Sequence, residues 1–145
     1  MANRTAKRYL MQIEKLDRII ENKLVEKQQW KDIALGTSPQ MTGEKVQSSG
    51  NQQKMADAVD RYIDIEREID EYIDQLIDVK KDIIATIEQL EVEEYDLLHK
   101  IYVQRLTLQE AADAKDKSYS WATTIHGTAL ENVRKILDER GYDGI

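Results

Sequence analysis

Cysteine and phenylalanine are absent from this 145-residue chain, and proline occurs once, at Pro39. Without cysteine there is no disulfide framework, no thiolate nucleophile and no thiolate metal site. With only two histidines, His99 and His126, a zinc site is not expected. No uncharged apolar stretch approaches the roughly 20 residues that cross a bilayer. The first residues mix Arg4, Lys7, Arg8, Glu14 and Asp17 with apolar side chains, so the apolar core of a signal peptide is missing. No phosphate-binding loop or nucleophile motif occurs. A cytoplasmic, non-membrane protein without cofactors is the expectation.

What is present is charge. Asp, Glu, Lys and Arg make up 34% of the chain, against roughly 25% in an average protein. The net charge of −7 is unevenly spread. Residues 1–40 carry 8 basic and 5 acidic side chains, residues 41–99 carry 6 and 16, and residues 100–145 carry 7 and 7. Such a balance suits long amphipathic helices, and the acidity belongs to the middle segment.

Leu10, Ile13, Leu16, Ile20 and Leu24 recur at spacings of three and four, predicting a helix over 3–35 that ends at Gly36. Gly36-Thr37-Ser38-Pro39, then Gly43, Ser48, Ser49 and Gly50, predict a polar loop over 36–51. From Gln53 a second helix runs to 91. Its stripe of Met55, Val59, Tyr62, Ile69, Ile73, Leu76, Ile83, Ile87 and Leu90 is widened on one flank by Ile63, Ile77 and Ile84. Neither helix can bury its stripe alone. The expected solution is a coiled-coil-like antiparallel hairpin, an arm over 1–92, whose leftover apolar surface invites a second copy of the chain.

The last third, 93–145, reads differently. Tyr95, Leu97, Leu98, Ile101, Tyr102 and Val103 predict a short apolar helix. A second begins after Thr107, with Glu110 three residues on as a capping box. Lys115-Asp116-Lys117 form a tight turn, and Ser118 caps a third helix that reaches about Glu139 and stops at Gly141. Ala111-Ala112 suit a close crossing, and Ala122 and Ile125 suit docking of the third helix. This all-α layout is that of a helix-turn-helix.

The stretch from Thr107 through Ser118 to Ala129-Leu130 resembles the domain of bacterial sigma factors that reads the −35 promoter element, with its Thr-Leu-x-Glu opening, Ser/Thr cap and late Ala-Leu. Taken with Val46-Gln47-Ser48-Ser49 and Leu97-Leu98…Ile101-Tyr102, the whole chain resembles phage and prophage transcriptional regulators of the ArpU-like kind. The resemblance implies a transcriptional regulator of a bacterial host cell. Its partners would be double-stranded DNA and RNA polymerase, and its arm would serve for homo-oligomerisation or polymerase contact.

On that reading Tyr119, Ser120, Trp121, Thr123, Thr124 and Gly127 form the outward face of the recognition helix. Lys115, Lys117, Arg134 and Lys135 hold phosphates, together with the helix start at Ser118. Two departures from the family pattern stand out. The turn has Lys115, Asp116 and Lys117 where apolar, Gly or Asn, and apolar residues are usual, and the outward face offers no arginine for bidentate guanine contact. Trp121 either presses on DNA or covers Leu97 or Tyr102 as a half-buried core residue. His126 and His99 are expected at the surface.

An enzymatic alternative is the pair Glu68-x-x-Glu71 and Glu93-x-x-Asp96, which resemble the magnesium-gathering carboxylates of all-α nucleotide pyrophosphohydrolases. In one helix they would lie about 37 Å apart, too far to share a metal. A di-iron bundle lacks its two Glu-x-x-His units. The expectation is a non-enzyme. The competing function is a structural or assembly protein that uses the helix-turn-helix fold only for packing.

Overall fold

The computed structural model describes residues 2–37 and 49–144, so most of the loop expected over 36–51 lies outside the described residues. The elements are α1 (Ala2–Leu10), α2 (Gln12–Ala34), α3 (Ser49–Ile87), α4 (Val92–Leu98), a π-helical turn (His99–Val103), α5 (Leu108–Ala114) and α6 (Tyr119–Glu139). The chain is all-helical, with no strand among the described residues. Contacts divide it into two compact units, Met1–Lys15 with Leu76–Ile145, and Leu16–Gln75.

Local chemistry sets most helix ends. Gly36 sits at φ +70. Its N–H donates to the Ile33 carbonyl at 3.0 Å, and that of Thr37 reaches back to Asp32 at 2.8 Å. This paired closure satisfies carbonyls that a helix end leaves open, and it needs a residue at ease with positive φ. Gly141 closes α6 the same way, with Tyr142 donating to Leu137 at 2.9 Å. At the start of α5 the capping box is complete: Glu110 N–H donates to Thr107 Oγ1 at 3.1 Å, and Thr107 N–H to Glu110 Oε1 at 2.8 Å. A cap of this kind stabilises by about 1 kcal/mol.

Two helices differ from their sequence outlines. The helix expected over 3–35 is interrupted at Met11. The backbone ladder continues there, with Met11 N–H donating to Lys7 and Lys15 N–H to Met11 at 2.9 and 3.1 Å, and the Gln12 side-chain amide donates to the Tyr9 carbonyl at 2.8 Å. The second helix begins at Ser49 and ends at Ile87 rather than spanning 53–91. Its end tightens through Gln89 N–H to the Thr86 carbonyl and Leu90 N–H to Ile87, at 3.2 and 3.0 Å.

The first unit holds the main core. Ala6, Tyr9, Leu10 and Ile13 recur at helical spacing and pack with Ile83 and Ile87 of α3, Leu98 of α4, Tyr102 of the π-turn, and Ala129, Leu130, Val133 and Leu137 of α6. Each large aliphatic side chain so buried contributes about 1.5–3 kcal/mol. Residues that the charge pattern groups with the arm therefore share a core with the C-terminal third.

A polar cluster fastens the same helices. The Tyr9 hydroxyl donates to Asp82 at 2.5 Å and shares a 2.8 Å hydrogen bond with Thr86. Arg140 donates to Asp82 at 2.9 Å, with its guanidinium 5.5 Å from the Tyr9 ring centre. Burial, aided by the bond to Asp82, pushes the Tyr9 hydroxyl up to about 12. Burial alone would raise Asp82, but hydrogen bonds from Arg140 and Tyr9 outweigh it and hold the carboxyl below its usual range. At neutral pH the cluster is thus a neutral tyrosine between a carboxylate and a guanidinium.

The second unit is more thinly packed. Leu16, Ala58, Ile65 and Ile69 are its buried hydrophobic residues among those described. Lys23 pairs with Glu68 and Lys27 with Glu66, both at 3.1 Å, so the order of partners reverses between α2 and α3. Half-exposed pairs of this kind contribute little individually. Leu24, Val25, Leu35, Val59, Ile63 and Ile73 stay exposed.

Candidate nucleic-acid interface

The first unit contains a second, smaller cluster where α5 meets α6. Leu97, Ala111, Ala112 and Ala122 are fully buried, with Ile101, Leu108, Trp121 and Ile125 against them. Alanines at the crossing let the two helix backbones approach closely. Between the helices Asp116 takes a left-handed conformation, φ 57. Its N–H donates to the Asp113 carbonyl and that of Lys117 to Ala112, at 3.0 and 2.9 Å. Aspartate tolerates positive φ better than most residues, so it does here what Gly or Asn does more easily. Ser118 then caps α6, its Oγ accepting from Trp121 N–H at 3.0 Å.

The N-terminal half of α6 is open. Tyr119, Ser120, Thr123 and Thr124 are all exposed. Thr123 donates its hydroxyl proton to the Tyr119 carbonyl at 3.0 Å, which leaves its oxygen as an acceptor. A Cβ added at Gly127 would meet nothing within 4 Å, so packing does not require a glycine there. Trp121 is half-buried over the alanine cluster, and Lys117 Nζ stands 5.6 Å from its ring centre. Trp121 thus packs against the cluster that contains Leu97.

The four basic residues proposed for phosphate contact are not equivalent. Lys117 and Lys135 are exposed. Lys115 is held by Asp96 in a short ion pair and by Glu93 at 3.3 Å. The hydrogen bond it donates to Asp96 raises the Lys115 ammonium above its ordinary value, so the charge persists but is already matched. Arg134 donates to Glu131 and to Asp138, both at 2.5 Å, along its own helix. The structure thus gathers the hydroxyl residues on one open surface but ties two of the four cations to carboxylates.

Comparison with protein-family models, with curated proteins and with solved structures finds no match. Among the described residues no group of three or more His, Asp or Glu side chains could hold a metal ion, and no helix is long and apolar enough to cross a membrane.

His126 corrects the sequence reading. It is half-buried, its ring stacks on Tyr102 at a centroid distance of 5.8 Å, and its Nε2 shares a 2.7 Å hydrogen bond with the Tyr102 hydroxyl. No local pattern links residues 24 positions apart, so nothing in the sequence signalled the pair. Burial, and then the charge of Lys7, hold His126 below the ordinary imidazole value of about 6.5. In the window beneath that value the unfolded chain binds a proton that the folded chain does not, so stability falls on acidification. Denaturation midpoints between pH 7 and 5 should fall for the native chain and change less for His126→Gln. Asp82 and Asp96 are both held below the carboxylate range and act at lower pH. An identical slope in the variant would assign the effect to another group.

Proposed function

We propose that this chain is a non-enzymatic, DNA-binding transcriptional regulator of the phage or prophage ArpU-like kind, acting in the cytoplasm of a bacterial host. On this reading α5, the turn at Asp116 and α6 are a helix-turn-helix, and α2 with α3 are an antiparallel hairpin serving homo-oligomerisation or contact with RNA polymerase. The observation that carries the reading is the open, hydroxyl-bearing N-terminal half of α6 beside an alanine-packed crossing with α5. That is the part of a recognition helix that enters a major groove. Ser120, Thr124 and Gly127 then face base edges, and Lys117 and Lys135 carry most of the phosphate contact.

Gly127 gives a test that separates function from stability. Replacing it with alanine in an open helix position should raise stability by about 0.5–1 kcal/mol. If α6 lies against DNA, the same methyl group should weaken duplex binding. Lys117→Ala should weaken binding to all sequences alike and lower the salt slope by about one ion. Gel shifts over a salt series, beside denaturation curves, measure both. Duplex binding that is undiminished in both variants would remove this face from the proposal.

A second reading, a structural or assembly protein, is favoured by the neutralised Lys115 and Arg134 and by the exposed apolar side chains of the second unit. It predicts no retained duplex at any salt concentration.

A further inference from the structure

A cavity of about 360 Å³ opens in the first unit, walled on its apolar side by Met11, Ile101, Leu106 and Leu108. That volume falls near the low end of the roughly 300–1,000 Å³ of small-molecule pockets. Its polar side is Lys7, Glu14, Arg105 and His126. Two costly pieces of backbone border it. The π-helical turn His99–Val103 supplies Ile101 and Tyr102, and Arg105 stands at φ 64, where a non-glycine residue is strained. Single π turns and strained residues concentrate where a ligand is held. The turn is closed by Gln104 N–H to the His99 carbonyl at 2.9 Å and Leu106 N–H to Lys100 at 3.0 Å, while the Tyr102–His126 hydrogen bond fixes the opposite wall. The hollow is therefore preformed.

Charge selects the ligand. Lys7 is exposed on the rim, and its ammonium is close enough to help keep His126 neutral. Arg105 adds a second cation, with Glu14 3.9 Å from its guanidinium. Of the charged and imidazole side chains lining the cavity, two are cations, one is a carboxylate and one a neutral imidazole, so the lining is net positive beside an apolar wall. A monoanion with an apolar body matches both features. A dianion would overshoot the charge, and a neutral molecule would leave Lys7 without a partner. We infer that this cavity binds a small organic carboxylate, its carboxyl group at Lys7 and Arg105 and its compact apolar body against Met11, Ile101, Leu106 and Leu108.

The inference is independent of the DNA-binding reading, because its test uses no duplex. The full-length chain, labelled with ¹⁵N, is titrated with 3-phenylpropionate, 3-phenylpropionamide or inorganic phosphate. The carboxylate should give saturable shifts centred on Lys7, Met11, Ile101, Arg105, Leu106 and His126, with the amide and phosphate each bound at least about tenfold more weakly. Lys7→Gln, a rim substitution, should weaken phenylpropionate by about tenfold while leaving the melting temperature unchanged. Met11→Trp should fill the hollow and abolish saturable binding, with amide dispersion retained as the measure of folding. Equal binding of the amide, tighter binding of phosphate, shifts centred elsewhere, or none at millimolar ligand would overturn it.

Discussion

Replacing Leu10 with alanine is expected to lower the unfolding free energy by about 2–5 kcal/mol, the range for removing a large aliphatic side chain from a packed core. Leu10 is fully buried among Tyr9, Ile13, Ile83, Ile87, Leu98 and the inner face of α6. Leu24 continues the same sequence stripe but lies half exposed, at 49%, so Leu24→Ala should cost less than about 1 kcal/mol. Urea titrations of the two variants measure the contrast. Equal costs, or a small cost at Leu10, would mean that α1 does not close the core containing α6. The result also bears on dissection: a fragment cut at residue 93 discards Tyr9, Leu10, Ile13, Ile83 and Ile87, and should not fold cooperatively.

Ala122→Leu should destabilise the first unit by about 1–3 kcal/mol, because three added carbons must be forced into a filled crossing. Ala122 is fully buried with Ala111 and Ala112, and only small side chains leave room for α5 against α6 at this point. The control is Thr124→Leu on the exposed side of α6, which should change stability by less than about 0.5 kcal/mol. Chemical denaturation checks both. If the two substitutions cost the same, the crossing has slack and α5 does not position α6.

Much of this architecture was legible because it is local. Thr107 with Glu110, Ser118, Gly36 and Gly141 set helix ends through contacts within five residues, which spacing alone encodes. The alanines at the crossing were legible for the same reason. The destination of α1 was not. Leu10 and Ile13 belong to a stripe that continues through Leu16, and nothing in a 3-4 rhythm says whether a stripe meets α3 or α6. The division at Met11 carries no glycine or proline to announce it, so spacing and helix propensity do not resolve it. The charge balance of the candidate interface was half legible. Glu131 and Asp138 stand three before and four after Arg134, a spacing that pairs charges on a helix. Asp96 and Glu93 reach Lys115 only through the fold.

The functional reading rests on the open half of α6, and selection of bound duplexes from a random pool tests it most directly. The full-length chain is incubated with the pool at low and physiological salt, with and without bacterial RNA polymerase, and retained duplexes are sequenced. The account predicts an enriched sequence whose preference changes in Thr124→Ala, with a modest loss of roughly 1 kcal/mol, and whose affinity falls uniformly in Lys117→Ala. Retention of no duplex under any of these conditions, by a chain whose denaturation curve is that of the folded protein, would contradict it.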